Sequence, residues 1–535
     1  MSSPAATDPA PGRPRRAGEP SLPRNAILGG LAFLATAATS LVVSPQVVHG
    51  LGLAAYGVLG VASELTGYCG LLDLGIRAAM GYFTARALAA GGSAELEAPL
   101  RAAVGMLTGL GLLLAMLAGP LAWNFPRLFK MDSVDPWEAR LTVGLLLMMM
   151  AVGLVATLPT ALLAGLRRFD LSYGIDIVAS LLNAALVLLV LRFKGGLLAV
   201  AGAHAASRAL SWLLQFLAVV SMRLRVRLFP LSINPQVAKD ILSYGGASLV
   251  LVLAQMATLQ MDLMIIGSAI GARAAGQYQI GRYLGIHLST LMMGITMTFA
   301  TPFTHHHTAG EWDRVRSLLL SASRYCNALA FLAAALILVF GQPFIALWMG
   351  REFTHGAWWD RSGTVLWFMT LAMLARSVGW VAIQYLLGSR QLRFLTRVRV
   401  AEAGASVAGG LVSARLLGIG GVALVKLLIS VASHFLFIIP YVLGKTQLRG
   451  RQFLREALAR PALVGLAAGG AGLLVSAAIP PLGWKRFLAG GTLAGLAGLV
   501  AAWFVVVDRA EKTKLLGQLR SLPSALAGLP RGFGR

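Results

Sequence analysis

Between Ala26 and Val507 the chain reads as a succession of apolar runs of twenty or more residues, separated by short polar turns. At about 1.5 Å of rise per residue, one such run spans the roughly 30 Å of a bilayer's hydrocarbon. The pattern predicts about fourteen membrane-spanning helices, near 26–48, 53–75, 100–123, 140–163, 172–192, 196–221, 240–270, 275–303, 318–340, 362–387, 399–417, 419–443, 461–480 and 486–507. The connections are too short for a folded soluble domain, and the period-two alternation of a membrane β-barrel is missing. The expected class is an all-α polytopic membrane protein.

Polar residues inside these runs recur at helical spacing. In "AVAGAHAASRALSWLLQF" (199–216), His204, Arg208, Ser211 and Gln215 stand at i, i+4, i+7 and i+11, one face of a helix. Comparable stripes are Asp176, Ser180 and Asn183; Ser248, Gln255, Thr258 and Asp262; Arg376, Trp380 and Gln384; and Lys426 and Ser430 with either Ser433 or His434. The Ser, Thr and Asn positions read as hydrogen-bonding glue between helices. The cations are different, because each costs about 2.5–3.5 kcal/mol at a helix centre. Arg208 and Arg376 fall near mid-span, Arg282 and Lys426 in the outer halves. Together they call for something near 8–12 kcal/mol of compensation. Two arrangements supply it: ion pairs with Glu64, Asp262 and Asp176 that lock helices together, or a hydrated cationic cavity shared by spans six, eight, ten and twelve.

Composition supports the membrane reading. Hydrophobic residues make up 57% of 535 and charged residues only 13%, about half the charged share of a soluble domain. The formal charge of +25 suggests nucleic acid until its distribution is seen. Roughly two thirds of the Lys and Arg fall in tails and loops on the side of the N-terminus, as the positive-inside rule requires. "RLRVR" (223–227), "RQLRFLTRVR" (390–399) and "KTQLRGRQFLR" (445–455) are examples. Nucleic acid is therefore not an expected partner; anionic head groups are. Both termini are expected in the cytoplasm, with a disordered basic tail at 1–24, a basic linker at 223–239 and a second basic tail at 508–535. A cleaved signal peptide is not expected, since the first apolar run is too long.

Cys69 and Cys326 form neither a disulfide framework nor a zinc site. The triplet His305-His306-His307 has metal-ligand chemistry but no further His or Cys beside it, and reads more simply as a solvated loop. With no Walker A or dinucleotide motif, no cofactor is expected. Any energy would come from a proton or sodium gradient, for which Glu64, Asp262 and His204 are the coupling candidates, with His434 behind them.

Two Gly/Ala-rich turns, "GLGLAAYGVLG" (50–60) and "AIGARAAGQYQIG" (269–281), lie about 220 residues apart, as do spans one and seven. This spacing fits two six-span repeats. Over about residues 25–445 the chain resembles the bacterial polysaccharide transporter and O-antigen flippase family, within the multidrug/oligosaccharidyl-lipid/polysaccharide superfamily. The resemblance rests on "GLLDLGI" (70–76), "QMDLMIIGSAIGARAAGQY" (260–278), "TPFTHHHTAGEWDRVRSL" (301–318), "LWMGREF" (347–353), "LLGSRQLRF" (386–394) and "LLGIGGVALVKLLIS" (416–430). The His triplet departs from that family, which more often has small or aliphatic residues there.

The resemblance implies two six-helix lobes (25–222 and 240–445) around a central cavity open alternately to each side, with an extra pair at 446–507. It implies a multi-pass protein of the bacterial inner membrane that is not an enzyme, and a polyprenyl-diphosphate-linked oligosaccharide as substrate. Polysaccharide polymerase and glycosyltransferases would be its partners, with membrane lipids around it. In such a cavity Arg208 and Arg376 would contact the diphosphate, with Arg282 and Lys426 extending the positive surface outward, and Gln215, Gln255 and Trp380, with Tyr68 and Gln384, would meet the sugars. Two alternatives stay open. One is a multidrug exporter of the same superfamily. The other is a membrane glycosyltransferase or polymerase using Asp132, Asp135, Glu138, Glu352 and Asp360.

Overall fold

The computed structural model describes residues 22–73, 75–89, 94–131, 134–222, 234–480, 483–508 and 511–513. The basic segments expected at 1–24, 223–239 and 508–535 lie for the most part outside these residues, as do Asp132 and the Ser248 side chain. Among the described residues every regular element is a helix. In chain order these are α1 (Leu22–Leu51), α2 (Leu53–Cys69), α3 (Ile76–Ala89), α4 (Ala94–Leu128), α5 (Pro136–Ala156), α6 (Leu158–Gly165), α7 (Phe169–Arg192) and α8 (Leu197–Ser221). There follow α9 (Pro235–Ala269), α10 (Ala272–Met297), α11 (Ala300–Thr308), α12 (Trp312–Trp348), α13 (Ser362–Gly388) and α14 (Leu392–Val431). The last four are α15 (Ile439–Thr446), α16 (Gly450–Phe453), α17 (Arg460–Ala478) and α18 (Trp484–Val505).

Among the described residues, twelve helical stretches are long and apolar enough to cross a membrane. The longest, Leu392–Thr446, is two crossings in one. Gly418 is non-helical (φ 62°, ψ −152°), and a Cβ on Gly409 would lie 2.8 Å from Val425 Cγ1. Sixteen residues of straight helix would hold those positions about 24 Å apart, so the chain doubles back at Gly418. With α2, 17 residues long, each predicted run has its helix.

The ends follow from local chemistry. Asp135 caps α5 by accepting from Trp137 N and Glu138 N (3.3 and 3.1 Å), with Pro136 in the first turn. Arg167, Lys194, Arg390 and Gln447 take positive φ at the C-termini of α6, α7, α13 and α15. At each, the next amide returns to a carbonyl five residues back, for example Arg168 N to Leu163 O at 2.9 Å. Three of these four residues are basic, the sign a helix C-terminus favours.

The chain forms two compact units. The first comprises residues 1–51, 65–126 and 135–249; the second comprises 52–64, 127–134 and 250–535. In the first, α1 lies along α7, with Thr39 Oγ1 and Ser180 Oγ 2.8 Å apart, and α7 lies along α8. In the second, the opening of α2 crosses α10 glycine on glycine: a Cβ on Gly57 would lie 2.8 Å from Gly276 N. The two Gly/Ala-rich motifs thus meet, each lacking the side chain that would hold the other off. The pair α17 and α18 packs on α12, where Gly465 brings α17 close to Phe331 O. On these two helices Leu466, Leu474 and Phe504 are exposed, as lipid-facing residues must be.

Replacing Gly418 with Ala should destabilise the second unit. It puts a side chain on a backbone conformation only glycine adopts easily, costing about 1–3 kcal/mol, and drives a Cβ into the Asp360 carboxylate. Thermal unfolding of purified protein should begin at lower temperature, while Gly444→Ala, with open space around it, should leave it unchanged.

Candidate functional site

Three of the four cations singled out above lie in the second unit, and each has met a carboxylate. Arg282 of α10 bonds Glu64 of α2. Lys426, in the returning limb after Gly418, bonds Asp262 of α9, which also accepts from Tyr278 OH at 2.7 Å. Arg376 of α13 lies 3.2 Å from Glu402 Oε1 in the first limb of α14, and Glu402 Oε2 takes the guanidinium of Arg399. Only 2% of Arg376 is exposed and none of the Glu402 side chain.

These pairs are not isolated. Arg376 is near enough to Asp262 and Lys426 for their charges to interact, as is Lys426 to Arg282. His434 joins from the π-helical turn Ala432–Ile438, held by Ser430 O and Ser433 Oγ at 2.9 Å each and within electrostatic reach of Arg399 and Glu402. The network therefore holds four cations, Arg282, Arg376, Arg399 and Lys426, against three carboxylates, Glu64, Asp262 and Glu402. Most of its positive charge is thus already matched by carboxylates. Arg282 Nε and Nη1, Arg376 Nε and His434 Nε2 have no hydrogen-bond partner among the described residues.

The first unit holds Arg208, and it differs. Arg208 and His204 are both exposed on α8. His204 Nδ1 stays on its own helix, 2.9 Å from Val200 O. No ion pair engages Arg208 among the described residues, although the half-buried Asp176 of α7 lies within reach of its charge. The far end of the same stripe turns inward. Gln215 is buried and bonded to Thr160, with Asp176 and Ser211 both 3.5 Å from its amide nitrogen.

The remaining residues scatter. Trp380 is buried in the apolar core shared with α12 and α15, and Gln384 is buried one turn further on. Gln255 and Tyr68 are half-buried, Gln255 with its amide 3.9 Å from Met293 Sδ. Glu402 and Arg399 were not singled out in the sequence. Their i, i+3 spacing is the signal that was available, at the start of the eleventh apolar run. The loop carboxylates have local work: Asp135 caps α5, Glu138 accepts Leu198 N (3.2 Å) at the start of α8, Glu352 lies against Gly350 and Asp360 against Gly418.

Glu402 offers the sharpest test of the network. Removing one member of a buried ion pair costs about 3–5 kcal/mol, because the partner stays behind uncompensated. Glu402→Gln should therefore lower the unfolding temperature of the purified protein well beyond Arg399→Gln. The double variant should recover part of the loss, a coupling that independent sites would not show.

A family model described as polysaccharide biosynthesis protein matches residues 101–357. The chain is similar to the uncharacterized membrane protein EpsK of Bacillus subtilis (strain 168), with 21% identity over 512 residues that cover 92% of this chain and 97% of that protein. In fold it is similar to the lipid II flippase MurJ in an inward closed conformation (TM-score 0.65, 14% identity, 89% of this chain and 98% of that one). It is equally similar to an inward-facing multidrug resistance MATE family transporter of the MOP superfamily (TM-score 0.65, 14% identity, 78% and 98%). The three comparisons point the same way: the chain is similar in sequence to polysaccharide biosynthesis proteins over residues 101–357 and to a full-length membrane protein of the same length class, and it shares its fold with the flippase and the transporter.

Proposed function

We propose that the protein is a flippase that carries a polyprenyl-diphosphate-linked oligosaccharide across a bacterial inner membrane for cell-surface polysaccharide assembly. Glycosyltransferases would build its substrate, a polymerase would consume its product, and both of its termini would lie in the cytoplasm. The observation that carries this reading is Arg208: a cation exposed midway along a membrane-length helix, with no ion pair among the described residues and only the half-buried Asp176 within reach of its charge. A diphosphate supplies the missing charge, and a guanidinium fork matches its oxygens two at a time.

Arg376, Arg282 and Lys426 extend the same chemistry as cations that a phosphate would win from Glu402, Glu64 and Asp262. Exchange of partners would then link arrival of the head group to repacking of the helices that carry them. Gln215, Gln255 and Trp380 stay as candidate sugar contacts only where that repacking uncovers them. Asp262, Glu64 and His204 are candidates for coupling to a proton or sodium gradient, since neutralising either carboxylate would release its cation.

The second reading, multidrug export, draws on the fold shared with the MATE transporter. A cationic drug would be repelled by Arg208 and by a network with four cations to three carboxylates, which favours the anionic substrate.

Arg208→Ala, at wild-type membrane levels, should reduce surface polysaccharide at least about tenfold, the loss of one charge-assisted bond of about 1.5–3 kcal/mol. Arg208→Lys should keep part of the output, and drug resistance should be unchanged by either. Full export by the alanine variant would remove Arg208 from the mechanism.

A further inference from the structure

α11 ends in His305-His306-His307, and the structure separates the roles of the three. His307 turns inward, its ring edge-on to Trp312 (5.1 Å) and Tyr385 (5.8 Å). His306 is half-buried and His305 exposed. Gly310, at φ +69°, closes the helix and lets Glu311 N donate to His306 O at 3.0 Å. That turn carries the Glu311 carboxylate back over the helix end, 2.6 Å from His306 Nδ1. One ligand atom from each of His305, His306 and Glu311 lies within 4.8 Å of the others.

We propose that His305, His306 and Glu311 bind a divalent transition-metal ion of the zinc class. Two imidazoles and a carboxylate are a donor set suited to Zn²⁺, Co²⁺, Ni²⁺ or Cu²⁺ and poor for Mg²⁺ or Ca²⁺, which prefer all-oxygen shells. Donors of a tetrahedral zinc lie about 3.3 Å apart when each bond is about 2.0–2.1 Å. Side-chain rotation closes that gap, and the half-exposed position leaves an entry path and further coordination positions for water.

The surroundings favour a cation. The site sits on the C-terminal turn of α11, the negative end of its dipole. The Glu311 carboxylate faces His306 on one side and the Arg314 guanidinium on the other. Arg314 competes for that carboxylate, with Nη1 3.1 Å from both oxygens, but its side chain is two-thirds exposed and can swing away. A bound ion would tie the end of α11 to the start of α12. α11 in turn packs on the end of α13, where a Cβ on Gly388 would lie 2.8 Å from Ala300 O. The metal would thus stiffen the end of the helix that carries Arg376.

The test is cobalt titration of the full-length purified protein, with any polyhistidine tag removed, read by visible absorption and by zinc competition. The expected result is one saturable equivalent, weakened at least tenfold in His306→Ala and in Glu311→Gln and lost on acidification as protons displace the metal. His355→Ala, in a different loop, should bind as wild type. Glu311→Gln keeps the size of the side chain and serves if His306→Ala does not fold. Absence of saturable binding, or unchanged affinity in both variants, would overturn the proposal.

Discussion

A charge placed in hydrocarbon must meet an opposite charge or water, and that requirement organises the second unit. Arg282, Lys426 and Arg376 are each costly alone, and each is satisfied by a carboxylate from a different helix. α2 is joined to α10, α9 to the returning limb of α14, and α13 to the outgoing limb. Apolar packing among leucines and alanines is nearly indifferent to register inside a membrane, where lipid is as oily as a neighbouring helix. Ion pairs are not indifferent, and they fix which faces meet. Close-packed glycines make the approach possible, as at Gly57 with Gly276 and at Gly379, where a side chain would strike the His434 ring.

The same pairs suit a molecule that must change conformation. A buried pair contributes little net stability, since desolvation offsets most of the attraction, yet breaking it is expensive. An anionic ligand that replaces the carboxylate escapes that penalty. On the proposed function, this would give the second unit a network that opens only when an anionic substrate takes the place of a carboxylate.

Much of the fold was legible because membrane spans are written in local composition. The fourteen apolar runs, the turn at Gly418 and the stripe on α8 all follow from spacing within a few dozen residues. What was not legible is long-range. Glu64 and Asp262 were recognised as possible partners of the cations, but no spacing assigns Glu64 to Arg282, 218 residues away. Glu402 escaped because a single glutamate near the start of a run reads as a boundary residue; its burial depends on α13 lying against it. The stripe on α8 predicted one polar face but not that His204 and Arg208 would be exposed while Ser211 and Gln215 are buried. The ambiguity between Ser433 and His434 arises where the helix widens into a π turn and the usual i+4 register no longer holds. The motifs behind the family resemblance proved to be turns and pairs: Asp73 bonds Gly75 N at 3.0 Å within "GLLDLGI", and Asp262 bonds Tyr278 within the longer motif.

On the proposed function, the membrane-embedded positive charge serves an anionic lipid-linked glycan. Its most direct test is translocation by the purified protein in proteoliposomes containing a fluorescent polyprenyl-diphosphate oligosaccharide, with a cationic dye in parallel vesicles. Protein-dependent movement of the glycan lipid to the opposite leaflet, with the dye left in place, is the predicted result. Efflux of the dye with no movement of the glycan lipid would contradict it.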